Sequence, residues 1–341
     1  MSDTAVSHRA AAGRPSVLPE PRGPLSAAVL DTLRSPPPLT AGPRLPATER
    51  CDPFGEDLHL ALQLCYELHY RGFRGVDDAW EWEPGLLCFR GRAERVFLDA
   101  LRSGTAGGRD VDSALDALLV EPVRGTGVSH HLCDHGEWWQ MREYLVHRSV
   151  YHLKEADPHA WVIPRLQGRA KASLVAVEYD EFGGGRAERM HSRLYADLLA
   201  GAGLETGYLH YLDAVPAPSM AIVNMMSLFG LHRALRGALV GHFAAAEITT
   251  APSARRMVRA LRRMEAPEAC VHFYSEHIEA DAVHEQIMRH DVIADLLAGD
   301  PDLAGDVVLG MQATELLEDH LGRRLLEAWS GGSSSLRLPL P

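Results

Sequence analysis

The chain has 341 residues, 46% of them hydrophobic and 23% charged, with a formal net charge of −12. This is a globular composition with ample length for a buried core. With this acidic balance no Lys/Arg cluster suggests a nucleic-acid footprint, so nucleic acid is not an expected partner. Five cysteines at 51, 65, 88, 133 and 270 form no CxxC pair. They exclude a disulfide framework and a zinc ribbon, and fit a reducing cytoplasm. No apolar run approaches the roughly 20 residues of a membrane span, and no signal-peptide core opens the chain. No membrane partner and a cytoplasmic location are therefore expected.

In chain order, residues 1–50 hold nine of the 21 prolines, densest at Pro36-Pro37-Pro38. Proline interrupts helices, so this segment is expected to be a disordered or loosely draped arm. Residues 51–130 read as accessory N-terminal helices packed on a bundle formed by 131–330, with 331–341 as a tail. From residue 56 onward the hydrophobic period is helical. Residues 56–71 place Leu58, Leu62, Cys65 and Leu68 on one face. The same period predicts helices over 92–103, 110–119, 136–154, 159–182, 186–201, 218–233, 235–250, 253–264, 268–298 and 303–329. Gly201/Gly203, Pro216/Pro218 and Gly299-Asp300-Pro301 punctuate them. The fold class is all-α.

The sharpest chemical signal is His277-x3-Asp281-x2-His284. Positions i, i+4 and i+7 fall within an arc of about 60° on a helix. Phe273 and Met288 share the stripe, so two imidazoles and a carboxylate point toward the core. Imidazole with carboxylate suits iron, and no cysteine is nearby. One helix supplies only part of a coordination sphere. Glu247 lies in GALVGHFAAAEITTA, apolar nearly all round, where an ionised carboxylate is costly unless paired or metal-bound. His242 in the same helix reads as a satisfied core histidine. In the third element Leu174, Val177 and Glu181 share a face, and Glu178 lies about 60° away as the rival ligand. Gly183-Gly184-Gly185 then interrupts the helix before His191. A continuous helix would set Glu181 and His191 about 80° apart, so the break is needed for both to face one point.

Together, a DE-bearing helix with a following His, a lone Glu in an apolar helix and HxxxDxxH resemble the haem-oxygenase-like di-iron oxidases and oxygenases. DEFGGG, GLHRALRGALVGHFAAAEITT and EHIEADAVHEQ look most like the bacterial iron-containing redox enzymes, over about Trp138 to Trp329. The resemblance implies a haem-oxygenase-like helical bundle with additional N-terminal helices. It places the ligands, which are also the catalytic residues, on Glu181, His191, Glu247, His277, Asp281 and His284. It implies two irons per chain cycling between Fe(II) and Fe(III), O2 as co-substrate, and an external electron donor, either a protein or a small reductant. It further implies a small-molecule substrate, a peroxo-bridged di-ferric species on the route to product, and allows a homodimer. The spacing Glu181-x9-His191 departs from members with six intervening residues and resembles the N-oxygenating relatives. Those place a further glutamate one helix upstream, matched here by Glu155, although an ordinary acid beside Lys154 reads equally well. His159 and Asp157 could be caps or groups supporting the ligands.

Other classes remain. A ferritin-like carboxylate protein needs two Glu-x-x-His pairs in its bundle, and within 131–330 Glu188-x-x-His191 is complete while Asp281-x-x-His284 is an imperfect second. A haem-binding relative needs one axial His, and a metal-free interaction protein leaves the HxxxDxxH stripe and Glu247 unexplained. Within the di-iron class, N-oxygenation of a small amine or guanidine is the expectation, with oxidative C–C cleavage or decarboxylation of an amino or fatty acid as the alternative. The Met220–Phe229 stretch could line a pocket for either.

Overall fold

In the computed structural model, residues 16–38, 42–120 and 125–340 are described, with 279–282 described only as helical backbone. Fourteen α-helices run through them: α1 Pro24–Leu33, α2 Glu56–Glu67, α3 Pro84–Gly104, α4 Val111–Leu119, α5 Val128–Asp134, α6 Trp138–His152, α7 Asp157–Ala160, α8 Gly168–Glu181, α9 His191–Gly201, α10 Ala217–Leu231, α11 Arg236–Arg263, α12 Glu268–Ile287, α13 Ala294–Gly299 and α14 Ala304–Ser330. Among the described residues there is no strand, only one bridge between Ser16 and Phe73. The all-α reading holds, and the arrangement is that of a haem-oxygenase-like bundle.

The centre is α11, which packs along both α12 and α14, while α9 lies on α12 and α10 packs on α2, α6 and α14. Two glycines set the α11–α14 crossing. A Cβ on Gly241 would lie 2.0 Å from the Val307 carbonyl oxygen, and one on Gly310 would lie 2.0 Å from that of Ala238. Any side chain there would push the backbones apart, so these positions bring α11 side chains directly against α14. The break expected near Pro252 does not occur, because α11 continues through it. The lost backbone bond costs a few kcal/mol, and the buried Ala254, Met257, Val258, Ala260 and Leu261 beyond it offset that cost. The long helix expected over 268–298 is instead α12, a π-helical turn at Met288–Ile293, and α13.

The arm expected to be disordered is corrected over its described part. Residues 1–15 and 39–41 lie outside the described residues, but residues 24–33 form α1. Its Leu25, Val29, Leu30 and Leu33 are buried, each contributing about 1.5–3 kcal/mol. The prolines bracket this helix: Pro24 occupies its first turn, where the missing N–H costs nothing, and Pro36 follows its end. Asp57 on α2 accepts from the Leu25 and Ser26 amides at 2.8 and 2.7 Å, capping α1 from outside. The tail is docked as well. Leu336 is buried, the Ser335 amide donates to Glu143 at 2.9 Å, and the Arg337 amide to the Ala214 carbonyl at 2.8 Å.

Candidate metal centre

Four helices and one turn converge on a buried group of acids and imidazoles. From α8, Leu174 and Val177 enter the core and carry Glu181 inward with them. Gly183, Gly184 and Gly185 then all adopt positive φ, at 73°, 62° and 79°. A Cβ on Gly183 would also lie 2.6 Å from the Met190 nitrogen. Only glycine permits that conformation at that distance, so the chain folds back and starts α9 with His191 beside Glu181. His191 Nδ1 and Glu181 Oε2 are 2.8 Å apart, without hydrogen-bond alignment.

His277 on α12 donates Nδ1–H to the Phe273 carbonyl at 2.8 Å. That fixes the tautomer and leaves the Nε2 lone pair, 3.7 Å from Glu155 Oε1. One helical face later, His284 Nδ1 is 3.1 Å from Glu247 Oε2 and 3.7 Å from Glu181 Oε1, and its Nε2 is 3.3 Å from Asp180 Oδ2. Burial pulls the His284 pKa down, but the bond to Glu247 and the surrounding carboxylates win and raise it to about 9. Burial also lifts the Glu247 carboxyl above its usual range, against the pull of His284.

Five of the six expected residues thus come together: Glu181, His191, Glu247, His277 and His284. The sixth, Asp281, sits on α12 between the two histidines, and its side chain lies outside the described residues. Glu155 joins them. It follows α6 in a turn where Ala156 takes φ +73°, a conformation that costs a non-glycine residue about 1–3 kcal/mol. His152 donates Nδ1–H to Glu155 Oε1 at 2.7 Å, while Oε2 is buried without a partner. Burial would raise the Glu155 carboxyl, yet His152 and His277 hold it well below the usual carboxylate range.

Two subsets have donor atoms all within 4.8 Å of one another: Glu155, Glu181, His191 and His277, and Glu181, Glu247 and His284. Atoms about 2.0–2.3 Å from one ion lie at most about 4.0–4.6 Å apart, so each subset is within a few tenths of an ångström of the size of a single coordination sphere. Glu181 belongs to both. The nitrogen and carboxylate donors suit iron, and the unpartnered Glu155 Oε2 is the kind of buried atom a cation would satisfy. Glu178, the rival to Glu181, is buried but belongs to neither subset. Burial, then Glu181 and Glu247, push its carboxyl well above the usual range, so it stays protonated.

The sequence matches the family described as "Iron-containing redox enzyme" over residues 142–319, just over half of the chain. The chain belongs to that family. It is also similar to a nitrosourea synthase from Streptomyces achromogenes subsp. streptozoticus, at 25% identity over 223 residues, which is 65% of this chain and 44% of that protein. The chain therefore spans less than half of that relative's length.

In this member of the family the acids and imidazoles open on a cavity of about 460 Å3. Glu155, Glu181, Glu247 and His277 form one wall; Thr314, Glu315, Glu318 and Asp319 of α14 form another, with Arg148 of α6. Arg148 is held by Glu318 in a two-pronged bond at 2.7 and 2.6 Å. Sequence reasoning missed His152, which packs between Tyr195 and Phe273 and supports Glu155. Its spacing three residues before Glu155 was the available signal. It also missed that His159 and His242 both line the cavity. No helix among the described residues is long and apolar enough to cross a membrane.

Proposed function

We propose that this chain is a non-haem di-iron oxygenase that transfers one oxygen atom of O2 to the nitrogen of a small amine- or guanidine-type substrate. The observation that carries this reading is Glu181, common to two buried donor subsets of single-ion size. Glu155, Glu181, His191 and His277 would hold one iron, and Glu181, Glu247 and His284 the other, with Asp281 completing the set from the same face of α12. Bound iron supplies the O2-reducing chemistry. The protein's own part is to fix the His277 tautomer through Phe273, to keep Glu155 ionised, and to exclude water from the donor cluster. Overall, one oxygen atom becomes N–O and the other leaves as water. This consumes two electrons and two protons from a reductant or a donor protein.

Nitrogen is favoured over carbon as the target by the carboxylates in the cavity wall, which suit a cationic amine or guanidine and repel a fatty acid's own carboxylate. The similarity to a nitrosourea synthase supports the same choice. Anaerobic Fe(II) loading should give about two irons per chain, and exposure to O2 with a panel of amines and guanidines should give products one oxygen heavier by mass spectrometry. One iron per chain at full activity, or products formed by loss of carbon dioxide, would replace this reading with a mononuclear or C–C-cleaving one.

A further inference from the structure

The far wall of the cavity carries polar atoms that the iron chemistry does not use. His242 projects from α11 one and a half turns before Glu247, about 7.5 Å along the helix axis. Its Nδ1 is 2.7 Å from Thr314 Oγ1, and that hydroxyl donates its own proton to the Gly310 carbonyl at 2.7 Å. The Thr314 oxygen can then only accept, so Nδ1 of His242 carries the hydrogen and Nε2 is left as a bare acceptor. Nothing among the described residues donates to it, although His242 is only 1% exposed. His159 stacks face to face on Phe243, with centroids 4.2 Å apart, and lies 5.3 Å from the His242 ring. Both of its nitrogens are buried without partners. Both histidines line the cavity. A buried polar group without a partner is destabilising, yet three such atoms belong to two neighbouring residues of the cavity lining. The Gly241 and Gly310 contacts that press α11 on α14 hold this arrangement in place.

The rest of the lining indicates what would satisfy them. Glu155, Glu181, Glu247, Glu315, Glu318 and Asp319 are set against Arg148 and Arg256, and Arg148 is already engaged by Glu318. Six acids thus face two arginines, and the cavity is short of positive charge.

We propose that His242, oriented by Thr314 and flanked by His159, is the specificity-determining residue of this cavity, its Nε2 accepting an N–H from a cationic guanidinium or alkylammonium group of the substrate. This rests on the oxygenase reading for the word substrate, but the binding it describes does not depend on iron. Thr314 is a positioning residue: it acts on the ligand only through the His242 tautomer. The group bound at His242 lies about a turn and a half of helix from Glu247, so the substrate must reach from one to the other.

The test uses the full-length, metal-free protein with agmatine as the probe and decanoate as the comparison, read by calorimetry and by nitrogen NMR of labelled histidine. Agmatine is expected to bind, decanoate to bind at least ~10-fold more weakly, and agmatine to shift the Nε2 resonance of an Nδ1–H His242. His242→Phe should weaken agmatine by on the order of 10-fold or more, the loss of one hydrogen bond to a charged group. His242→Gln, which keeps an acceptor at a similar reach, should recover most of that loss. Thr314→Val should leave the histidine in mixed tautomers and weaken agmatine less than His242→Phe does. The proposal is overturned if agmatine does not bind, if decanoate binds as tightly, if His242 carries its proton on Nε2, or if His242→Phe binds agmatine like wild type. Should His242→Phe fail to fold, an Nε2 resonance unmoved by agmatine in the wild type overturns it equally. Agmatine binding through His242 in a protein that never yields an O2-dependent product would sink the oxygenase reading alone. N-oxygenated product formed equally well by His242→Phe would sink this inference alone.

Discussion

Lys154 and Glu155 are consecutive, both buried, and belong to two different kinds of buried charge. Lys154 Nζ sits 3.2 Å from Glu67 Oε2 and 3.8 Å above the Tyr70 ring, and Tyr208 donates to the same Glu67 oxygen at 2.8 Å. That compartment is neutral in itself and joins α2 to the end of α6. Glu155 faces the opposite compartment, where Glu178, Glu181 and Glu247 accompany it and the ion pairs of Glu155, Glu181 and Glu247 are with histidines. His284 there is raised to about 9, so an imidazolium already answers part of the negative charge. Buried charge that is balanced by its own neighbours ties elements together. Buried charge that is not balanced is held open for a ligand.

The largest effect should come from the residue common to both donor subsets. Glu181→Ala should reduce bound iron below one per chain and cut O2-dependent product by at least ~100-fold, beyond the loss typical of residues that merely support ligands. The metal-free variant should melt no lower than wild type, because a repelling buried carboxylate has gone. Elemental analysis and thermal melting check both parts, and a variant that keeps two irons would place the centre elsewhere.

In the balanced compartment the pattern should invert. Lys154→Met strands Glu67 and should cost about 3–5 kcal/mol in urea unfolding, while iron per folded chain stays at the wild-type value. Adding Glu67→Gln should recover much of that stability. An equal loss of iron would mean that the two compartments are not separate.

Much of this division was legible in the sequence. His277 and His284 share a stripe because 3.6-residue periodicity fixes direction within one helix, and Glu247 stood out because its helix is apolar all round. Gly183-Gly184-Gly185 announced a break whose purpose followed from the angle between Glu181 and His191. Glu155 was not decidable, because its direction depends on the turn at Ala156, and nothing in HLKEADPHAW announces a positive φ at an alanine. His242 read as a satisfied core residue, since its hydrogen bond goes to Thr314, 72 positions away, across a crossing set by Gly241 and Gly310. α1 was missed because prolines were counted as breakers without asking whether they fell inside a helix or at its borders.

Acid should strain the scaffold. Burial lowers the His59 pKa to about 4 and that of His147 to about 3. His147 sits between Ser219 and Ser335, each within 2.9 Å, tying α6 to α10 and the tail. Both imidazoles stay neutral in the folded protein but take a proton when unfolded below about 6.5. Their contribution is therefore full above pH 6.5 and is lost as pH falls, at about 1.4 kcal/mol per pH unit for each. Unfolding of the metal-free protein between pH 6.5 and 4 should show this slope, and His147→Gln should remove one proton's share of it. A smaller effect is expected at Ala156→Gly, which relieves the positive φ. It should raise stability by about 1 kcal/mol with iron content unchanged.

The most direct test of the shared carboxylate is anomalous diffraction at the iron edge from crystals loaded with Fe(II) without oxygen. Two peaks should appear about 3.5–4 Å apart, the usual spacing of paired metals. The Glu181 carboxylate should lie between them, with Glu155, His191 and His277 around one and Glu247 and His284 around the other. A single peak, or two peaks with Glu181 bound to neither, would contradict it.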